Sequence, residues 1–194
     1  MSNMNRSITE GARPAMVRSG REVVLRPVEA GDAEQVQAFV RALSPQSRRS
    51  RFLCGLTELP SYVLRRLTQP AGPEEFGLLA VAGGPGAPGV VGMAQYAPDG
   101  PGRAEFSVAV ADAWQRQGLG MQLVRAITHH ARGLGVETLC AVMLAENRGM
   151  LALAGRLGFA VTGSPEPGLV QVEKSLAGAG VAFPGHIVPA WSCA

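Results

Sequence analysis

The sequence contains little cysteine, and the cysteines it has show no organised spacing. Its 194 residues include three, Cys54, Cys140 and Cys193, none of them in a CxxC pair or at the spacing of a Cys/His metal site. An odd number of scattered cysteines does not suit a secreted disulfide framework. We therefore expect reduced thiols and a cytoplasmic location.

An excess of charge of one sign is also lacking. Lysine and arginine total 18 against 15 aspartate and glutamate, a net charge of +3, and the arginines are scattered along the chain. A dedicated nucleic-acid binder carries a concentrated basic surface, so that class is excluded, whereas a ligand with a few phosphates suits such a chain. Apolar residues make up 46% of the sequence, which excludes a mostly disordered protein.

No uncharged run is suited to a membrane. Two long runs, residues 77–97 and 175–194, are interrupted by glycine and proline, which would leave backbone groups unpaired in lipid. Residues 1–20 lack the apolar core of a signal peptide, so we expect a flexible leader there. The apolar tail, residues 175–194, is expected to pack on the domain or on a second copy of the chain in a homodimer. One domain then spans residues 21–174.

Hydrophobic patterning predicts the element order β-α-α-β-β-β-α-β-α-β-β. Strands are indicated at residues 21–27, 76–81, 90–96, 103–111, 136–144, 159–162 and 169–172, and helices at 33–43, 61–67, 119–131 and 148–157. Asp32 is expected to cap the first helix, and Ser44-Pro45 to end it. This order predicts a mixed α+β (α/β) single domain in which helices cover the sheet.

A glycine-containing turn opens the helix that follows strand 103–111. The segment Gln115-Arg116-Gln117-Gly118-Leu119-Gly120 presents unpaired backbone N–H groups at the positive end of the helix dipole. Gly118 and Gly120 have no Cβ, so a phosphate can approach the main chain, and Gln115 and Arg116 can add side-chain donors. The sequence has no GxxxxGK[ST] loop, and its GxGxxG is incomplete. The turn indicates either a phosphate site of another kind or tight strand-helix packing.

Together with two further motifs, this turn resembles the GNAT superfamily of acyl-CoA-dependent N-acyltransferases. The motifs are Asn147-Arg148-Gly149-Met150 and Leu157-Gly158-Phe159, and the likeness covers about residues 23–172. The phrases LRPVEAGDAEQ, LSPQSRRSRF, AEFSVAVADAWQRQGLG and NRGMLALAGRLGF are similar to bacterial protein-lysine acetyltransferases that act on AMP-forming acyl-CoA synthetases. The resemblance implies a twisted, mostly antiparallel sheet with a central pair of parallel strands that splay apart.

The resemblance also implies acetyl-CoA as co-substrate and a place for it. The pyrophosphate would lie on the turn, at Gln115, Arg116, Gln117, Gly118, Leu119, Gly120 and Met121, with the pantetheine arm between strands 103–111 and 136–144. The backbone N–H of Val108 or Val110 would stabilise the oxyanion that develops during transfer. Asn147 would contact the coenzyme or, alternatively, only cap the helix that follows it.

Glu105 corresponds in this resemblance to the general base. A lysine ammonium, with a pKa of about 10.4, is no nucleophile until it loses a proton, and a carboxylate among apolar neighbours can receive that proton. The sequence departs from the common pattern at Ala154, where many family members carry a tyrosine that protonates the departing thiolate. Tyr96 is a distant candidate for that role, and solvent is another.

The sequence leaves alternatives open for the identity of the acceptor and for the roles of several side chains. A protein lysine is the expected acceptor, with a small-molecule amine or a non-catalytic acyl-CoA sensor as the rivals. Arg48, Arg49 and Arg51 suit a solvated face, or else contacts with an acidic partner or with the 3′-phosphate of coenzyme A. The three histidines, His129, His130 and His186, are not spaced to hold a metal, and we expect none.

Overall fold

Eight strands and five α-helices are present in a computed structural model that describes residues 12–83 and 89–176. The strands are β1 Arg13–Met16, β2 Glu22–Pro27, β3 Phe76–Ala82, β4 Val90–Pro98, β5 Arg103–Val110, β6 Thr138–Leu144, β7 Ala160–Gly163 and β8 Leu169–Ser175. The helices are α1 Ala33–Ala42, α2 Pro45–Phe52, α3 Ser61–Thr68, α4 Leu119–Gly133 and α5 Arg148–Arg156.

The strands form one sheet in the order β1-β2-β3-β4-β5-β6-β8-β7. Its neighbouring strands are antiparallel except for β5 and β6, which run parallel because α4 carries the chain back between them. The pairing of β3 with β4 is antiparallel, as their sequences suggested. The predicted single α+β domain with a mixed, mostly antiparallel sheet is therefore confirmed.

Each face of the sheet is covered by its own helices. The apolar stripe of α4, which includes Leu123 and Ile127, packs on one face, and neither side chain is exposed. On the other face, α1 buries Val36 and Val40 with residues of α3. Burying each such side chain contributes about 1.5–3 kcal/mol. Because successive side chains of a strand point to opposite faces, β5 contributes to both cores.

Helix α2 was missed by the sequence analysis. Ser44-Pro45 does end α1, but Pro45 is also the first residue of α2, where its missing N–H costs nothing. The Ser44 hydroxyl caps α2 by accepting a hydrogen bond from the N–H of Ser47 at 3.2 Å. The sequence PQSRRSRF has almost no apolar stripe, which explains why periodicity did not reveal the helix.

Three further expectations differ from the structure. Residues 13–16 of the expected flexible leader form β1, which pairs with β2 and so belongs to the domain. Asp32 does not cap α1, because its carboxylate accepts hydrogen bonds from the Arg26 guanidinium and the Glu29 N–H. At the other end, Ser175 completes β8 and Leu176 is buried, so the tail begins later than expected. Residues 1–11 and 177–194 lie outside the described residues.

Candidate functional site

Strands β5 and β6 are joined over only part of their length. Their register includes three pairs, of which Glu105 with Cys140 is the last. From Phe106 onward β5 keeps its partner β4 but has no partner on β6. The predicted splay of the central parallel pair is therefore confirmed, and it opens a gap beside residues 106–110. The end of the gap at Glu105 is called its inner end, and the end at Val110 its outer end.

Two backbone N–H groups of β5 point into this gap. The N–H of Ala111 donates to Val91 on β4 at 2.9 Å, and alternation along an extended strand turns the amide of Val110 to the opposite side. The hydrogen bond of the Val110 carbonyl supports this orientation, because that carbonyl accepts from the Gln115 side chain instead of from β4. Val108, two residues away, has the same orientation as Val110. These are the amides that the resemblance assigns to oxyanion stabilisation.

A cavity of about 1170 Å³ runs from this gap to the N-terminus of α4. Of the residues predicted for cofactor binding, the structure places Val108, Val110, Gln115, Arg116, Gln117, Gly118, Gly120, Met121 and Asn147 in its lining. Leu119 is the exception: its side chain is buried in the core, so only its backbone can serve a ligand. Spacing alone does not distinguish a helix residue that faces a cavity from its neighbour that faces the core.

The beginning of α4 is built to expose backbone donors. Gly118 is the residue before the helix, with a φ of +89°, and no side chain caps the first turn. The N–H groups of that turn have no acceptor within the helix. Arg116 adopts a φ of +57°, a left-handed conformation that costs a non-glycine residue about 1 kcal/mol or more. This turn presents main-chain N–H groups and the positive helix dipole to the cavity.

Arginines make the lining of the cavity electropositive. Beside Arg116, the lining contains four arginines to which the sequence had given no binding role, Arg18, Arg125, Arg148 and Arg156. They come from the β1–β2 loop, α4 and α5, and their scatter along the sequence concealed their convergence. Asp112 and Glu146 are the acidic residues of the lining. The surplus of positive charge suits a ligand with several phosphates.

Two turn residues act differently from what the sequence suggested. The Gln115 side-chain amide donates to the Val110 carbonyl at 3.1 Å and to the Ser47 hydroxyl at 3.0 Å, so both its N–H bonds are used within the protein. Its side chain therefore links β5 to α2. A Cβ on Gly120 would lie 3.1 Å from Leu153 of α5, so Gly120 serves close helix packing at the cavity wall.

Helix α2 lies along the gap, with its beginning at Asp112 and its end near Glu105. Asp112, just after β5, accepts hydrogen bonds from the Ser44 and Ser47 hydroxyls, both at 2.8 Å, which fixes the beginning of the helix. Near its end, Arg49 forms an ion pair with Glu146 at 2.9 Å. Arg51 lines the cavity although only 6% of it is exposed.

Of the arginine cluster of α2, Arg49 is solvent-exposed, Arg48 is half-buried and Arg51 is buried. Arg48 donates to the carbonyl of Leu43 at the end of α1, and Arg49 is held by its ion pair. Burial lowers the pKa of Arg51 to about 10, and the nearby Glu105 carboxylate opposes that shift. Of the three, only Arg51 belongs to the cavity lining.

Glu105 lies where the two strands separate. Its carboxylate accepts a hydrogen bond from the N–H of Val142, the β6 residue two positions past the last pair. Burial raises the pKa of Glu105, as does Asp99, while Arg51, the Val142 N–H and Arg103 act in the opposite direction. Glu105 itself is not in the cavity lining, but its neighbours Phe106 and Ser107 are. A carboxyl with a raised pKa thus sits directly behind the inner wall.

Asn147 is confirmed as a helix cap. Its side-chain oxygen accepts a hydrogen bond from the N–H of Met150 at 3.1 Å at the start of α5. Ala154, farther along α5, is buried and lies outside the cavity lining. Tyr96 does not reach the site, because its hydroxyl is hydrogen-bonded to buried His130 at 2.7 Å. Desolvation raises the pKa of Tyr96 further, so Tyr96 is not a proton donor for this cavity.

The described residues contain neither a metal-binding cluster nor a membrane-spanning helix. Within residues 12–83 and 89–176, no group of three or more His, Cys, Asp or Glu residues is arranged to hold a metal ion. No helix in the same ranges has the length and apolar character needed to cross a membrane. Cys140 is a core residue as expected, and burial raises the pKa of its thiol.

Comparison with known families identifies the domain. The family model of the acetyltransferase (GNAT) domain matches residues 22–160. The chain belongs to the GNAT family. Enzymes of this family use acetyl-CoA as co-substrate, and the GNAT domain described here is an acyltransferase by that membership.

Individual relatives agree with the family assignment. Acetyltransferase PA5475 of Pseudomonas aeruginosa is 32% identical over 156 residues, which cover 80% of this chain and 84% of that protein. The L-methionine sulfoximine/L-methionine sulfone acetyltransferase of Pseudomonas paraeruginosa is 35% identical over 79 residues, 38% of this chain and 46% of that protein. Among solved structures, the GNAT domain of S. lividans PAT has a TM-score of 0.78 at 26% identity and covers 84% of this chain and 96% of that one.

Proposed function

We propose that this GNAT domain transfers the acetyl group of acetyl-CoA directly to the amine of a protein lysine, with Glu105 as the general base. The observation that carries the proposal is the position of Glu105 at the last β5–β6 pair. There a carboxyl with a raised pKa lies behind the inner end of a cavity whose outer end exposes backbone donors and arginines.

The residues present suit acetyl-CoA along the whole cavity. The first-turn amides of α4 and the arginines around them would hold the phosphates, with Arg116 and Met121 in the predicted turn. The unpaired side of β5 offers Val108 and Val110 to the amide groups and thioester of the arm, as a further strand would use them. Asn147 would support this site by fixing the start of α5. The bound co-substrate supplies an acyl group activated by its thioester.

Glu105 would remove the proton that keeps the amine from reacting. An ionised carboxylate with a pKa raised toward neutrality accepts a proton more readily than an ordinary one, since proton affinity rises with pKa. Because Glu105 lies behind the lining, the proton would reach it through a water beside Ser107, which is on the same face of β5. The buried Arg51 opposes the effect of burial on the pKa of Glu105 and so favours the ionised carboxylate.

Two negative charges develop during transfer, on the thioester carbonyl oxygen and on the departing thiolate, and each needs a stabilising group. The N–H groups of Val108 and Val110 lie on the open side of β5 and can donate to the carbonyl oxygen as it becomes negative. Ala154 cannot supply a proton to the departing thiolate, and Tyr96 is held in the core by His130. Solvent entering the open cavity would therefore protonate the thiolate.

Two observations bear on the acceptor. The similarity of four sequence phrases to bacterial protein-lysine acetyltransferases supports a lysine on an acyl-CoA synthetase. The relative that acetylates L-methionine sulfoximine and L-methionine sulfone supports the alternative, a small-molecule amine. Turnover of acetyl-CoA with purified acyl-CoA synthetases, compared with a panel of amino acids, polyamines and aminoglycosides, decides between them. Turnover with none of these acceptors would favour a non-catalytic acyl-CoA sensor.

The role of Glu105 is tested with Glu105→Gln. The glutamine oxygen can still accept the Val142 N–H, so the fold and the affinity for acetyl-CoA should change little. Turnover near neutral pH should fall by roughly 10²–10⁴, and the deficit should shrink as pH rises because more of the amine is already deprotonated. Glu22→Gln, which alters an exposed carboxylate of β2, serves as the matched control. A deficit that is constant with pH, or a change in KM alone, would contradict the role of base.

A further inference from the structure

The two sides of the gap at its inner end differ in chemistry. On the α2 side lie polar groups, the Ser107 hydroxyl and the Arg51 guanidinium. On the α4–α5 side lie apolar groups, with Phe106 2% and Met143 3% exposed, both in one core cluster with Phe159. This difference follows from strand alternation, because Phe106 and Ser107 are neighbours that point to opposite faces.

Phe106 closes the apolar side, and Phe159 supports its ring from the core side. Phe106 is the first residue of β5 beyond the last pair with β6, so it stands where the gap narrows. Its ring packs on that of Phe159, with centroids 5.0 Å apart and an interplanar angle of 44°. Phe159 in turn is 6% exposed and has the Lys174 ammonium 5.7 Å from its ring centroid. The pair is enclosed, so it has little room to retreat from a longer group.

We propose that the Phe106–Phe159 pair restricts the acyl group to about two carbons. The inference rests on the proposed function, since it presumes that acyl-CoA occupies the cavity with its thioester at the inner end. An amine approaching from the polar α2 side, near Glu105, leaves the apolar side to the alkyl part of the acyl group. Each extra methylene there would have to displace an aromatic ring from a close-packed core, and one methylene changes discrimination by about 10–200-fold.

The test compares acetyl-, propionyl- and butyryl-CoA with the wild-type protein and with Phe106→Leu and Phe159→Leu. The wild-type protein should lose at least about tenfold in affinity from acetyl to butyryl, measured by calorimetry, and in kcat/KM where turnover is found. Each leucine variant should reduce that loss several-fold by improving binding of the longer chains. Phe76→Leu is the matched control, because Phe76 belongs to the same core cluster but its ring packs on Tyr96 and His130 instead of on Phe106 or Phe159.

The outcomes separate this inference from the proposed function. If no acyl-CoA binds, the proposed function fails. If all three bind but the chain-length dependence is the same in Phe106→Leu, Phe159→Leu and wild type, the acyl limit is not set by these rings. The same holds if Phe76→Leu relaxes the dependence equally, since general loosening of the core would then explain the effect. Circular dichroism confirms folding of each variant, and either of the two leucine variants suffices for the decision.

Discussion

The two halves of β5 differ in what their polar groups contact. In the inner half, Arg103 forms ion pairs with Asp99 at 3.1 Å and with Glu173 of β8, and the backbone has strands on both sides. In the outer half, Val108 and Val110 keep β4 on one side only and turn their other amides to a cavity. Both halves belong to one unbroken strand of eight residues.

The difference shows how a strand can serve stability and binding at once. Burying a backbone N–H without a partner costs about 1–3 kcal/mol, so the outer half keeps its free amides beside an open cavity, where water or a ligand can satisfy them. The inner half satisfies its groups within the protein. Glu105 lies at the boundary between the two halves. Its carboxylate accepts a hydrogen bond from the N–H of Val142, a β6 residue beyond the last β5–β6 pair.

The largest effect on the outer half is expected from Gly120→Glu. The new side chain would meet Leu153, 3.1 Å from the Cβ position, and would place a carboxylate among the donors that suit phosphate. Loss of one or two charge-assisted hydrogen bonds predicts a decrease in acetyl-CoA affinity of about 100-fold by calorimetry. Gly155→Glu is the control, because a Cβ at that exposed position meets nothing within 4 Å. Equal acetyl-CoA affinity of the two variants would show that the phosphates do not bind at the N-terminus of α4.

Arg103→Met addresses the inner half and should reduce stability rather than binding. Removing a half-buried partner of two carboxylates predicts a loss of about 1–2 kcal/mol in urea unfolding at pH 7. Arg103 lowers the pKa of Glu173 in the folded protein. The ion pair therefore stabilises the fold fully at pH values above the pKa that Glu173 has in the unfolded chain. This stabilisation is lost as pH falls through the lower pKa of Glu173 in the folded protein. The deficit should therefore shrink below about pH 4.

The same variant also has a catalytic signature. Arg103 opposes the rise in the pKa of Glu105, so its removal should raise that pKa further. If Glu105 acts as the base in its ionised form, the acidic limb of the kcat/KM profile should move to higher pH. An unchanged acidic limb together with lower stability would mean that the inner half does not tune the base.

Arg116→Gly is expected to have the smallest effect, with opposite signs on stability and binding. Glycine adopts a φ of +57° without strain, so stability should remain equal or rise by up to about 1 kcal/mol. Acetyl-CoA affinity should nevertheless fall several-fold, because a guanidinium is lost from the cavity lining. Lower stability with unchanged affinity would assign Arg116 a purely structural role.

The sequence predicted most of this architecture because its signals are local. The β5-turn-α4 segment carries its own strand, turn glycines and apolar helix stripe, and the Asn147 cap is likewise read from neighbouring residues. Helix α2 was not predicted because it has only eight residues and almost no apolar stripe, so it shows no clear periodicity. It is defined instead by the Ser44 cap and by packing on β5 and β6, which are distant in sequence. Gln115 looked like a ligand donor until the structure placed Ser47, 68 residues away in sequence, within reach of it.

The charge around the cavity shows the same limit. Arg18, Arg125 and Arg156 are far apart in sequence, and only the fold brings them to one lining. Conversely, Arg48, Arg49 and Arg51 lie within four residues of one another but make different contacts. Arg48 binds the end of α1, Arg49 pairs with Glu146, and Arg51 is buried near Glu105. Clustering in sequence was therefore a poor guide to which cations act together.

Amide hydrogen exchange of β5 tests the central claim most directly. Without ligand, the amide of Ala104 in the inner half should exchange slowly, whereas those of Val108 and Val110 should exchange quickly because they point to the open cavity. Saturating acetyl-CoA should slow exchange at Val108 and Val110 by at least about tenfold and leave Ala104 unchanged. If Val108 and Val110 exchange at the same rate with and without saturating acetyl-CoA, the splayed half of β5 is not where the co-substrate binds.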